Sequence, residues 1–317
     1  ELDAELNKLI GDRTIKLWDA QTGQLKQTLQ CEGVIHQARF LPDGATLIAT
    51  HSNAIKSEDL TEATGFTVWD AQTGKAVRTI KADPQASFLL LPEGALVISR
   101  GTEAEEVKAW DPRTGELKWK NSEVWVSIFD DAPFTPDGKL LVTQTKYLDL
   151  NPAVKLLDAQ TGQVRWSLPG GGRTSFSPDG QTLACLNAAQ VSFWNLGTGK
   201  LKWSIATLNT KSPQTPFLAN GNLVAVYGQH YAIELRGASD GKLLVSLLAL
   251  PGVGQANEKG ETAPEWIAFT PEGYYSASPG ATRYIRWRVG DKLLPAESYA
   301  KEFNRPDLVI KAIREGQ

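Results

Sequence analysis

Residues 15–23 read IKLWDAQTG, and the phrase returns along the chain. It is TVWDAQTG at 67–74, VKAWDPRTG at 107–115, VKLLDAQTG at 154–162 and VSFWNLGTG at 191–199. Two worn copies follow, IELRGASDG at 233–241 and YIRWRVGD at 284–291. The tryptophan position falls at Trp18, Trp69, Trp110, Leu157, Trp194, Arg236 and Trp287, roughly 37 to 51 residues apart. A second phrase precedes each copy from the second onward: FLPDG at 40–44, LLPEG at 90–94, FTPDG at 134–138, FSPDG at 176–180, FLANG at 217–221 and FTPEG at 269–273. Proline sets the first turn dihedral, Asp or Asn caps, and glycine accepts positive φ, so each phrase is a tight hairpin turn.

Apolar runs such as TLIA at 46–49 and LLVT at 140–143 flank these turns. Residues 15–17 alternate as a half-buried strand does, with Ile15 and Leu17 on one face and Lys16 on the other. Each unit is therefore strand a, PDG turn, strand b, variable loop, strand c, DAQTG turn, strand d. Seven such units predict an all-β fold: a seven-bladed β-propeller of four-stranded antiparallel blades over residues 1–294, with a short helical tail at 295–317 packed on it. Residues 6–10 read as strand b of the first unit, with no strand a before them. Tryptophans that recur with the repeat belong between sheets.

The bulk numbers exclude more than they assign. Of the 317 residues 41% are hydrophobic and 22% charged, with net charge −3, a soluble globular composition without the basic footprint of a nucleic-acid or anionic-membrane binder. No apolar run reaches the roughly 20 residues that span a bilayer, and the N-terminus lacks the plan of a signal peptide. A cytoplasmic protein is expected, or a periplasmic one if a leader was removed. Methionine is absent, so the sequence reads as starting downstream of its translation start. Cys31 and Cys185 have neither disulfide nor metal spacing and read as reduced thiols.

The residues also resemble families. GDRTIKLWD at 11–19 resembles the WD-repeat family, in which Asp12 would anchor the b–c turn; the Gly-His pair that opens a family repeat is in no unit. Trp119, Trp166 and Trp203 each follow a Thr-Gly turn by four residues and resemble the tryptophan-docked blades of pyrroloquinoline-quinone-type propellers. Residues 266–313 resemble the end of bacterial WD-repeat proteins often fused to caspase-like or other effector domains, which implies a sensing or docking role beside a partner domain.

Chemistry is sparse. Only His36, His51 and His230 are present, and none has an evident nucleophile beside it. No metal-ligand spacing is visible, and the Gly-rich LPGGGR at 168–173 precedes no helix, so it is a poor phosphate loop. No catalytic, metal or cofactor residue is assigned. The short turns fall at one end of each unit and the variable b–c and d–a loops at the other, where recognition resides on rigid scaffolds. Candidate binding residues on that face are Glu58, Asp59, Glu103, Glu105, Glu106, Asp130 and Asp131, with Trp125, Tyr147 and Tyr231 as interface aromatics. The expected function is a non-enzymatic scaffold or sensing module that binds a protein partner or effector domain. Its rivals are an enzymatic propeller (hydrolase or quinone-dependent oxidoreductase) with a central site and a periplasmic structural propeller of an assembly complex. Strand a offers Gln37, Ala38, Arg39, Ser87, Ser175 and Ala268, few acids or histidines, which argues against the enzyme.

The tail has two readings. Val309, Ala312 and Ile313 make an apolar stripe at helical spacing, whereas 308–313 as a strand would complete the first blade. Helix is favoured, since residues 311–315 are good helix formers.

Overall fold

The computed structural model describes residues 13–52, 64–82, 86–91, 96–101, 106–124, 134–145, 153–170, 172–187, 190–206, 217–227, 232–250 and 264–316. Residues 6–10, read as a strand, lie outside this set. The chain divides into two compact units, Glu1–Gly171 and Gly172–Gln317.

In the first unit β1 (Thr14–Trp18) pairs with β2 (Leu25–Gln30). Strands β3 (Val34–Phe40), β4 (Thr46–Ser52), β5 (Thr64–Asp70) and β6 (Ala76–Lys81) form a four-stranded meander. So do β7 (Ser87–Leu90), β8 (Val97–Arg100), β9 (Val107–Trp110) and β10 (Leu117–Asn121). Strands β11 (Leu140–Gln144), β12 (Ala153–Asp158) and β13 (Val164–Pro169) follow, and Phe134 adds one bridge to Leu141 where a strand a is expected.

In the second unit β14 (Arg173–Phe176), β15 (Thr182–Leu186), β16 (Gln190–Asn195) and β17 (Lys200–Ala206) form another meander. A six-stranded sheet runs through β18 (Phe217–Leu218), β19 (Leu223–Tyr227), β20 (Ile233–Gly237), β21 (Leu243–Leu250), β22 (Glu265–Phe269) and β23 (Tyr275–Ala277). The chain ends in the hairpin β24 (Arg286–Val289) and β25 (Lys292–Pro295), then α1 (Ala300–Phe303) and α2 (Pro306–Glu315).

The fold is an all-β propeller with a helical tail, and seven sheets among the described residues follow the seven repeats. The seventh repeat departs from the four-stranded expectation. Its strands a and b, β22 and β23, continue the sixth sheet by pairing β22 with β21, and its strands c and d stand apart as the β24–β25 hairpin.

The repeated turns are held by their own side chains. Asp19 Oδ1 accepts the N–H groups of Gln21 and Thr22 at 2.9 and 2.8 Å, Asp70 those of Gln72 and Thr73, and Asp158 those of Gln160 and Thr161. Such Asx bonds close the turn with groups two and three residues apart, without a tertiary partner. At these turns the c–d register shifts where strand c enters the turn, between Leu17 and Trp18, Val68 and Trp69, Leu156 and Leu157, Phe193 and Trp194, and Leu235 and Arg236. A bulge at a fixed place adds local twist and re-aims the next side chain of strand d. At four places that side chain docks on the turn glycine of the following repeat. The Trp119 indole lies on Gly162, where a β-carbon would come within 2.5 Å of the ring, and Nε1 donates to the Ala159 carbonyl at 2.9 Å. Trp203 repeats this on Gly241 and Ala238. Gln27 takes the place of the indole over Gly74, donating to the Gln72 carbonyl, and Arg78 does so over Gly115.

Apolar side chains fill the space between consecutive sheets. Ile48, Phe66 and Val68 meet Phe88, Leu90 and Val97, while Phe193 meets Val224 and Val226. Trp69 is 1% exposed, as a between-sheet tryptophan should be, whereas Trp18 is 58% exposed. The sixth sheet is covered by a helix: Val309, Ala312 and Ile313 of α2 pack on Leu235, Val245 and Ala268. The tail is therefore helical, with Pro306 at its first turn.

Candidate functional site

Among the ten candidate residues Glu106 is described. Glu58, Asp59, Glu103, Glu105, Trp125, Asp130, Asp131, Tyr147 and Tyr231 lie outside the described residues. Glu106 directly precedes β9, and its carboxylate lies 3.4 Å from Lys120 and 3.9 Å from Lys108. Its side chain is 22% exposed. This acid is offset by two ammonium groups rather than presented as a bare negative rim.

His51 is buried near the end of β4. Its Nε2 shares a hydrogen bond of 3.0 Å with the Thr67 hydroxyl, which in turn meets the Thr79 hydroxyl at 3.0 Å. Burial lowers the pKa of this imidazole, so it is held neutral as a structural bridge across three strands. His36 lies on β3 with its side chain exposed, and His230 is outside the described residues. Cys31 and Cys185 are free and buried. Burial pushes the Cys185 thiol up to about 12, far from thiolate chemistry. Among the described residues no three metal-ligating side chains converge.

One cavity in the second unit is formed by residues that the sequence reading missed. Where the repeated phrase carries tryptophan, the sixth copy has Arg236, with Glu234 two residues earlier on the same strand face. Glu234 accepts from Arg236 Nε at 2.8 Å and Nη2 at 2.7 Å, and Nη1 donates to the Gly241 carbonyl at 2.7 Å. The pair lines a cavity of about 460 Å³ whose other walls are Ile205, Leu248 and Phe269, with Ser246. Phe269 reaches this wall because β22 joins the sixth sheet. The worn IELRGASDG copy was the available signal: an arginine at a between-sheet position needs a partner and leaves a cleft. A second cavity, about 430 Å³, lies between the 239–244 turn region, the 270–274 turn and α2.

The docked tryptophans and the comparisons with known proteins agree. Residues 53–243, more than half of the chain, match the family model PQQ_2, described as outer membrane protein assembly factor BamB. The chain belongs to this family. The PQQ_2 match fits better than a specific WD-repeat assignment, and the β-propeller is common ground. A curated relative, Eukaryotic translation initiation factor 3 subunit I of Phaeosphaeria nodorum, is 29% identical over 157 residues, 47% of this chain and 43% of that protein. The chain thus spans less than half the length of that relative. The crystal structure of BamB from Moraxella catarrhalis superposes with a TM-score of 0.49 at 12% identity, covering 84% of this chain and 80% of that one. Kuenenia stuttgartiensis hydrazine synthase gives a TM-score of 0.42 at 14% identity, covering 84% and 90%.

Proposed function

We propose that this protein is a non-enzymatic interaction module that binds a protein partner through its b–c and d–a loops. The observation that carries the reading is its membership of a family described by an assembly factor. A rigid scaffold supports it. Asx-closed turns and side chains docked on turn glycines fix one end of each repeat, so sequence variation is free to accumulate at the other. The family description favours one form of the role, a structural propeller within an assembly complex, over a fused sensing domain. The partner is then another member of such a complex.

Alanine blocks at 57–62, 103–106 or 209–212 should weaken binding to the native partner and leave the melting temperature nearly unchanged. Substitutions in the PDG or DAQTG turns should lower the melting temperature and spare binding per folded molecule. Equal loss of binding from both sets, or turnover of a quinone-linked or hydrolytic substrate by the purified chain, would overturn the proposal.

A further inference from the structure

The last repeat offers a surface of a different kind. Gly290 and Asp291 close the β24–β25 hairpin, with Gly290 at φ +60°. Trp287, paired with Leu294, packs on Tyr275, Tyr299 and Phe303 at ring separations of 6.2, 5.8 and 4.7 Å, which anchors one face of the hairpin. By the two-residue period Arg286, Arg288, Leu293 and Pro295 share the other face. All four are exposed, Leu293 at 68%.

This face is cationic. Arg286 and Arg288 lie on it; Arg283 precedes the hairpin and Lys292 lies on the opposite face, against the single acid Asp291 in residues 283–292. Among the described residues no carboxylate forms an ion pair with Arg286, Arg288 or Lys292. The Arg286 guanidinium donates to the carbonyls of Arg283 and Ile285, and that of Arg288 to the carbonyl of Gly290.

The backbone is open as well. Val289 and Lys292 flank the two-residue turn and form a hydrogen-bonded pair, so Trp287 and Leu294 do too. The main-chain groups of Arg286 and Arg288 therefore point away from β25, to an edge that pairs with no strand among the described residues.

We infer that the β24–β25 hairpin is a docking surface for an acidic, extended segment of a partner protein. The segment adds to the edge of β24 and sets its carboxylates beside Arg286 and Arg288. The open edge favours a polypeptide over an anionic membrane or a nucleic acid, because a second main chain matches the spacing of both the N–H and the C=O groups of a strand edge. This surface is separate from the loop residues proposed above, so the failure of either reading leaves the other standing.

The test is fluorescence anisotropy of the intact chain with a labelled peptide of alternating glutamate and valine. A proline-interrupted version of the peptide, phosphatidylglycerol vesicles and a single-stranded oligonucleotide serve as competing probes. The expected result is peptide binding that falls about tenfold or more in R286E/R288E, weakens as salt is raised, and is lost with the interrupted peptide. R286Q/R288Q, which removes the charge without reversing it, should show the same direction with a smaller loss, and far-UV circular dichroism checks that both variants fold. No binding of the glutamate–valine peptide, binding undiminished in both folded variants, or capture of vesicles or oligonucleotide in its place overturns the inference.

Discussion

Adding one methyl group at Gly162 tests whether the repeats are coupled by side chains docked on turn glycines. Gly162 sits at φ +69°, so alanine there carries the left-handed cost of about 1–2 kcal/mol whatever surrounds it. Its new β-carbon would also lie 2.5 Å from Trp119 Cδ2 and 2.6 Å from Cε3, contacts that force the buried indole to move. Overpacking of that kind adds about 1–3 kcal/mol. Gly23 is the matched control, with φ also +69° and open space where the β-carbon would go. Gly162→Ala should therefore cost about 1–3 kcal/mol more than Gly23→Ala. Trp119→Ala alone removes a buried indole and its bond to the Ala159 carbonyl, about 3–5 kcal/mol. In the Trp119→Ala background the clash is gone, so Gly162→Ala should fall back to the cost of Gly23→Ala. Urea midpoints of the four chains, read by far-UV circular dichroism, close the cycle. Equal costs for the two glycines, or an additive double variant, would refute docking as the coupling device.

Other outcomes follow from the same geometry. The Lys26 ammonium, followed by the N–H of Thr22, holds Asp19 well below the usual carboxylate range, and turn N–H groups lower Asp43 and Asp70. Folded-state values below the unfolded value of about 3.9 mean stability that is full above that pH and lost as pH falls through the folded values. D19N/D43N/D70N should therefore flatten the acid limb of a melting-temperature profile, and an unchanged limb would place the acid sensitivity elsewhere. Arg236→Ala should destabilise the second unit by about 1–3 kcal/mol through the part-buried Glu234 it strands, whereas E234L/R236W should melt near the wild type; the reverse order would contradict the reading of the cleft. Deleting 304–317 uncovers Leu235, Val245 and Ala268 and should lower the melting temperature markedly while far-UV circular dichroism keeps the signature of the remaining sheets. Cys185 should resist a thiol reagent at neutral pH until the chain unfolds, and fast labelling of the native protein would contradict its burial.

The turns and the strand order within a repeat were legible because their causes lie within a few residues. Proline and Asx chemistry bend the chain locally, and the alternation in residues 15–17 needs no distant partner. The stripe of Val309, Ala312 and Ile313 likewise specified a helix with one apolar face. What that face covers was not written there. The seventh repeat carries the same two phrases as the others, yet β22 joins the edge of β21, and α2 occupies the face of the sixth sheet. That choice depends on how strands from residues 243–250 and 265–269 meet, a long-range pairing for which the local pattern supplies no register. Gln27 and Arg78 standing in for tryptophan, Glu106 offset by Lys108 and Lys120, and the cleft opened by Glu234 and Arg236 are of the same kind. The sequence by itself determined each unit as a hairpin-closed meander, because its turns are stabilised from within. Only the tertiary structure decided which faces meet and which stay open, because packing between sheets and pairing at their edges are contacts between residues far apart in the chain.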